Sequence, residues 1–383
     1  MLILIFKRIM SGIYLHIPFC KKACNYCNFH FSTNQHKMKD LVSALLQEVQ
    51  LQQGYLTDAV ETIYLGGGTP SLLNPSDVVL LLDSIKQFFS VLPNAEITLE
   101  ANPDDIDKAV LHEWKKAGIN RLSIGIQSFQ EQDLQWMGRA HNALQAKNCI
   151  RLAQEAGISN VSIDLIYGGP TLPHENWKQN LQTAIDLGVP HLSCYALTVE
   201  PKTTLAHKIE KQELPEIDTQ HQSEQFAMLQ TITADAGYEQ YEISNFALAE
   251  QRSRHNSSYW SGAHYLGLGP SAHSFNGSSR QWNISNNSLY IQSIQKGVIP
   301  FEKEVLTRIQ QINEYIMTSL RTIEGIRAER INRIAQKDLF VDLVTAAEKY
   351  IQNGLMDYQV DQLRITPAGK FMADGIAADL FQE

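Results

Sequence analysis

The sequence predicts an α/β protein built from parallel βαβ units, with a smaller and mostly helical domain after it. Three observations carry this. Short β-rich runs alternate with stretches of helical period over the first ~190 residues, which is the pattern of strand–helix–strand crossovers. The alternation breaks down after about residue 245, where Ser, Asn, Gly and His dominate. Helical period returns from about residue 301. A chain of 383 residues with 44% apolar content is long enough for one large core and a second small one.

The strand candidates come in order. Gly12–Pro18 (GIYLHIP) is first, then Glu61–Leu65 (ETIYL), which runs into three glycines. Ala95–Ala101, Arg121–Gln127, Val161–Tyr167 and His191–Leu197 follow, rich in Ile, Leu, Val and Tyr and bounded by turn residues. Helical period occupies Lys37–Gln52, Asp77–Phe89, Ala109–Ala117, Asn142–Ala156 and Trp177–Leu187. Six such units suit an incomplete (β/α) barrel or a doubly wound sheet, and periodicity alone does not choose between them. Further on, Glu304–Arg321 and Val341–Gln352 read as helices. The closing LMDYQVDQLRITPAGKFMADGI reads as a hairpin followed by a helix.

A formal charge of −9 argues against a nucleic-acid surface, which needs a basic face. The apolar start MLILIFKRI is about nine residues long, too short to span a bilayer. Met10 before a strand pattern reads as the natural start, with residues 1–9 a tail or an upstream-start extension. No later run reaches the ~18 apolar residues of a membrane span.

Five cysteines, three of them within eight positions, describe a metal site in a reducing compartment rather than a disulfide framework. Cys149 and Cys194 sit inside apolar runs and read as small core residues. Cys20, Cys24 and Cys27 form CKKACNYC just past the first strand. Three thiolates on one loop can hold three irons of a [4Fe–4S] cubane and leave the fourth open to a small chelating molecule. Zinc is the rival occupant, and its fourth ligand would come from a residue such as His30. Tyr26, just before the last cysteine, either shields the metal or simply packs.

Gly66-Gly67-Gly68-Thr69-Pro70 follows the second strand directly. It can bring backbone N–H groups close to a ligand, or it can be a tight turn. Glu100, Gln127, Arg139 and Asp164 lie at, just beyond or within the next strands. A carboxylate inside an apolar run is costly unless paired, so Asp164 faces either a ligand or a partner such as Arg139.

CxxxCxYC resembles the signature of the radical S-adenosylmethionine superfamily. That resemblance implies a partial (β/α)6 TIM-like barrel with its site at the C-terminal strand ends. It also implies S-adenosylmethionine on the open iron and a 5′-deoxyadenosyl radical on reductive cleavage. The segments YLHIPFCKKACNYCNF, YLGGGTPSLL, ITLEANPDD, GINRLSIGIQSF, MGRAHN and IDLIYGGP resemble the coproporphyrinogen III dehydrogenase and HemW family from Ser11 to the C-terminus. Carried over by position, Tyr14, Tyr26, Gly67, Gly68, Thr69, Glu100, Gln127, Arg139, Asp164 and Ala196 match that family's S-adenosylmethionine contacts.

The family has two branches. The oxidase branch decarboxylates coproporphyrinogen III, carries a longer N-terminal extension, and has a fourth cysteine two residues after the third. Here that position is Phe29, and the cluster begins at residue 20. The other branch binds haem and passes it to respiratory enzymes. Its HNxxYW hallmark is present as His255-Asn256-Ser257-Ser258-Tyr259-Trp260. A histidine there would ligate haem iron with aromatics over the porphyrin, or would be a solvated side chain in a polar loop. His264 and His273 lie nearby, and GLGPSAHSF either approaches a tetrapyrrole or forms a turn against the barrel.

The resemblance thus implies a cytoplasmic haem chaperone with a cluster, S-adenosylmethionine and haem, with oxygen-independent coproporphyrinogen III oxidase as the alternative. It implies haem-accepting respiratory enzymes as partners, a homodimer, no nucleic acid and at most peripheral membrane contact. The expected division is a barrel over 10–245, a haem-binding or connecting segment over 246–300, and a winged-helix-like, mostly helical domain over 301–383.

Overall fold

The computed structural model describes residues 11–383, so the expected 1–9 extension lies outside the described residues. Six strands form first: β1 (Ser11–Ile17), β2 (Val60–Gly67), β3 (Val91–Ala101), β4 (Arg121–Gln127), β5 (Val161–Tyr167) and β6 (His191–Ala196). They are parallel, and their order in space follows their order in the chain. A doubly wound sheet would reverse at a switch point, so sequential order selects the partial barrel.

The crossovers carry helices Met38–Leu51, Pro75–Phe88, Lys108–Ala117, Ala143–Glu155 and His174–Asp186. Their starts are written locally. The Asp107 carboxylate accepts from Val110 N–H, and Asn142 with Gln145 forms a reciprocal capping box.

The strand alternation decides the site. Ile13, Leu15 and Ile17 of β1, Ile63 and Leu65 of β2, Ile97 and Leu99 of β3, and Ile163 and Leu165 of β5 all lie in the main core with the crossover helices. The intervening positions point to the other face. There the strands carry Gly12, Tyr14, Thr62, Tyr64, Glu96, Glu100, Ser123, Asp164 and Ser193. Helices cover the apolar face, and the polar concave face is left to hold something other than a hydrocarbon core. Cys149 and Cys194 are buried in the main core.

The stretch from 246 to 300, irregular in sequence, extends this sheet on both sides. β7 (Glu239–Gln240) pairs antiparallel with β8 (Asn245–Ala247), just after it in the chain, and β8 pairs antiparallel with β6. β9 (His264–Leu268) pairs parallel to β1, and β10 (His273–Phe275), β11 (Ser279–Asn283) and β12 (Phe301–Val305) continue antiparallel. Residues 304 and 305, expected in a helix, belong to β12, and that helix runs Arg308–Leu320.

The segment GLGPSAHSF is a turn against the barrel. A side chain at Gly267 would collide with the His273 carbonyl, and Gly269 has φ +99. Gly269 N–H donates to Glu48 (2.7 Å), as do Asn283 Nδ2 (2.6 Å) and the Tyr290 hydroxyl (2.5 Å). Glu48 is fully buried, and burial raises its pKa to about 7 against the pull of these donors.

A second core gathers Ile312, Ile316, Leu320, Ile331, Leu343 and Ile376. It packs on a three-stranded sheet of β13 (Ile326–Arg327), β14 (Met356–Gln359) and β15 (Gln362–Ile365), in the order β13-β15-β14. β14 and β15 form the expected hairpin. The predicted helix Val341–Gln352 is two, Phe340–Ala346 and Glu348–Gln352, joined at Ala347.

Glu48→Ala orphans three buried donors at once. It should lower stability by about 2–4 kcal/mol, read as a shift of the urea midpoint at unchanged slope.

Candidate functional site

The loop after β1 carries Cys20, Cys24 and Cys27, each half-buried and unpaired. Its backbone is tied down around them. Cys20 N–H donates to Ser32 O (3.0 Å), Asn25 N–H to Met137 O (2.9 Å), and Leu205 N–H to Asn25 O (2.8 Å). Lys21 pairs with Asp104 (2.8 Å) and Asp105 beyond β3. The loop is therefore held by contacts that the protein itself supplies.

Two sulfurs already receive hydrogen bonds. Thr69 Oγ1 donates to Cys20 Sγ (3.4 Å), and Arg139 Nη1 to Cys24 Sγ (3.2 Å). Arg139 also reaches the Tyr26 hydroxyl (3.5 Å) and Gly125 O (2.7 Å). Asn102, which the sequence analysis passed over, joins the two sides. Its Oδ1 accepts from Arg139 Nη2 (2.7 Å), and its Nδ2 donates to Thr69 Oγ1 (3.3 Å). The signal was the Asn-Pro step closing β3, where a turn residue meets the strand end.

Burial pushes the Cys20 thiol up to about 11, with the charges of Cys27 and Cys24 adding to it; Cys27 is raised for the same first reason. A polycationic centre would remove this penalty and take all three as thiolates. The Arg139 Nε, buried beside Cys24, has no partner among the described residues. Donors aimed at sulfur and a spare buried N–H fit an iron–sulfur centre with an anionic ligand group. His30 Nε2 is engaged by Asn287 Oδ1 (2.7 Å), and the His30 carbonyl bonds His16 Nε2 (3.0 Å).

Behind the cysteines lies the glycine turn. Gly68 N–H donates to Ile17 O (2.9 Å), and a Cβ there would strike the Phe19 backbone at 2.8 Å. Gly67 has φ +110, and its N–H donates to Glu100 Oε2 (3.0 Å). Glu100 Oε1 accepts from the Tyr64 hydroxyl (2.8 Å). Burial, with Asp164 adding to it, raises Glu100 to about 7. Burial likewise raises Asp164 to about 6, against hydrogen bonds from Ser193 and Ser123. Glu100 and Asp164 are thus two buried carboxylates on the concave face, each raised by burial.

Gln127 ends β4 at φ +65, a left-handed conformation uncommon outside glycine, and is buried beside Arg139. Tyr14 bonds His16 Nδ1 (3.1 Å) and stacks on Tyr64. Ala196 ends β6 opposite Tyr167.

His255 adjoins this group through Tyr64, on which its ring stacks, and the expected polar loop is corrected. It is the second residue of the helix Arg254–Ser261 and is 1% exposed. Its Nδ1 bonds Thr62 Oγ1 (2.7 Å) and its Nε2 the Tyr259 hydroxyl (2.9 Å). Both ring nitrogens are engaged within the protein, so a haem iron would have to displace one of them. His273 is exposed and stacks on Trp282, and His264 lies 3.9 Å from Asp58.

Two outcomes follow. Cys24→Ala should give a folded protein by circular dichroism that retains little iron or sulfide, because the barrel core does not depend on the metal. Glu100 has a folded pKa above its unfolded value, so in ligand-free protein its favourable contribution is present below pH ~4.5 and is lost as pH rises through about 7. Ligand-free Glu100→Gln should therefore melt about 2 °C or more above wild type at pH 8, with the gap closing by pH 5.

Residues 14–184 match the Radical SAM superfamily. The heme chaperone HemW of Mycobacterium tuberculosis H37Rv is 31% identical over 375 residues, spanning 96% of this chain and 94% of that protein. Escherichia coli K12 HemW is 31% identical, spanning 95% and 96%. The mouse mitochondrial radical S-adenosyl methionine domain-containing protein 1 is 32% identical, spanning 97% and 88%. Among solved structures, the coproporphyrinogen III oxidase HemN of Escherichia coli, described as a radical SAM enzyme, has a TM-score of 0.85 at 24% identity and covers 98% of this chain and 90% of its own. That last likeness establishes the fold. With the cysteine loop, the glycine turn and the concave carboxylates in place, the chain belongs to the HemW family of radical S-adenosylmethionine proteins, whose members imply a [4Fe–4S] cluster and S-adenosylmethionine.

Proposed function

We propose that this protein is a haem chaperone that binds haem, a [4Fe–4S] cluster and S-adenosylmethionine, and delivers haem to respiratory enzymes. The observation that carries the reading is similarity along almost the whole chain to proteins named heme chaperone HemW. The exposed Phe29, 70% accessible where the oxidase branch has a fourth cysteine, supports it.

In this reading Cys20, Cys24 and Cys27 hold the cluster, which supplies an open iron and reducing equivalents when bound. Thr69 and Arg139 stabilise charge on two of the sulfurs. Glu100 and Asp164 offer negative charge to the ammonium and sulfonium of S-adenosylmethionine, and Gly67, Gly68 and Gln127 shape the wall. Tyr14, Tyr26 and Ala196 complete the pocket. The haem ligand is not assigned to His255, whose ring nitrogens are both engaged. No helix among the described residues is long and apolar enough to cross a membrane. In the proposed reading the protein is cytoplasmic, meets its acceptors with at most peripheral membrane contact, and forms a homodimer.

Protein reconstituted anaerobically with iron and sulfide should develop a Soret band on haem titration and saturate at a defined stoichiometry. Supplied with coproporphyrinogen III, S-adenosylmethionine and reductant, it should yield no protoporphyrinogen. Accumulation of protoporphyrinogen together with 5′-deoxyadenosine would replace this proposal with the oxidase. S-adenosylmethionine affinity should rise between pH 6 and pH 8 as Glu100 and Asp164 ionise, measured by equilibrium dialysis.

A further inference from the structure

The His255–Trp260 hexapeptide has a definite place in the fold. Its helix lies against β1 and β2 on the concave face. The first amides of that helix are held by β3: Arg254 N–H and His255 N–H donate to the two oxygens of Glu96 (3.0 and 2.9 Å). A carboxylate at a helix N-terminus is favourable and fixes the helix in register. Trp260, at the other end of the motif, lies under the Arg321 guanidinium of the C-terminal domain at 5.1 Å.

Between these anchors, the His255 ring stacks on Tyr64 with centroids 5.0 Å apart and planes 24° apart. Gly12 makes room for it, since a Cβ there would sit 3.3 Å from the imidazole and 2.9 Å from Thr62 Oγ1. Thr62 and Tyr259 hold the imidazole from its two nitrogens. Tyr14, beside Tyr64 on the neighbouring strand, stacks on it with centroids 6.0 Å apart. Tyr64 thus has two ring neighbours, with its hydroxyl fixed on Glu100 at 2.8 Å. Glu96 and Glu100 are four residues apart on one strand and share a face. One anchors the motif from below, and the other receives its effect above.

We infer that His255 is a positioning residue for the S-adenosylmethionine pocket, acting through its stack on Tyr64 to aim Glu100, and is not a haem ligand. This rests on the proposed reading that Glu100 faces S-adenosylmethionine. An apolar replacement at His255 would empty the floor under Tyr64 and let the phenol swing. Glu100 would then keep one donor, Gly67 N–H, instead of two.

The test uses full-length protein with the cluster reconstituted, as wild type, His255→Ala and Tyr64→Phe. The second variant keeps the ring and deletes only the hydroxyl, so it guards against a fold defect in the first. S-adenosylmethionine binding is measured by equilibrium dialysis and by the change it induces in the electron paramagnetic resonance spectrum of the reduced cluster. Haem is titrated separately through the Soret band. Both variants should lose tenfold or more in S-adenosylmethionine affinity and show a weakened spectral change. Their iron content and haem stoichiometry should match wild type. Wild-type affinity in either variant would overturn the inference, and so would loss of the Soret band in His255→Ala. Wild-type protein that loads a cluster but binds no S-adenosylmethionine would instead strike the underlying reading, and the inference with it.

Discussion

A parallel sheet whose crossover helices all cover one face must find another use for its second face. Here that face carries Glu96, Glu100 and Asp164 in a space where an unpaired carboxylate is costly. Each is treated differently. Glu96 is fully committed to two helix amides, Glu100 is half-committed to a tyrosine and a glycine amide, and Asp164 has only serine hydroxyls. Satisfaction by the protein's own groups falls along the series.

The sulfur loop follows the same logic with opposite sign. Three closely spaced thiolates need donors and cations. Arg139, Asn102 and Thr69 form one hydrogen-bonded chain from Cys24 to Cys20, drawn from the crossovers after β2, β3 and β4. Because these groups come from separate crossovers, the chain closes only if the barrel's register is correct. Fold and the charge environment of the three sulfurs are thereby coupled, in the way that outer-shell partners tune metal sites.

The sheet extension shows why polar sequence does not mean loose structure. Residues 246–300 lack period because they are short strands and turns held by individual contacts rather than by an apolar stripe. Glu48 collects three of those contacts more than 220 positions away in the chain. The hexapeptide at His255 is held in the same style, by Glu96, Thr62 and Arg321.

The chain's local chemistry was enough to place β1 to β6 and their helices, because alternation and 3.6-residue period are properties of neighbouring residues. It was also enough to mark Cys20, Cys24 and Cys27, whose spacing is itself the signal. Tertiary structure alone decided the rest. Sequential strand order chose the barrel over the doubly wound sheet, Asn102 became a link between sulfurs, and His255, read as either a haem ligand or a solvated side chain, became a buried ring stacked on Tyr64. Each of these depends on residues distant in sequence meeting across the concave face, and burial is a property of the assembled surface rather than of any segment read alone.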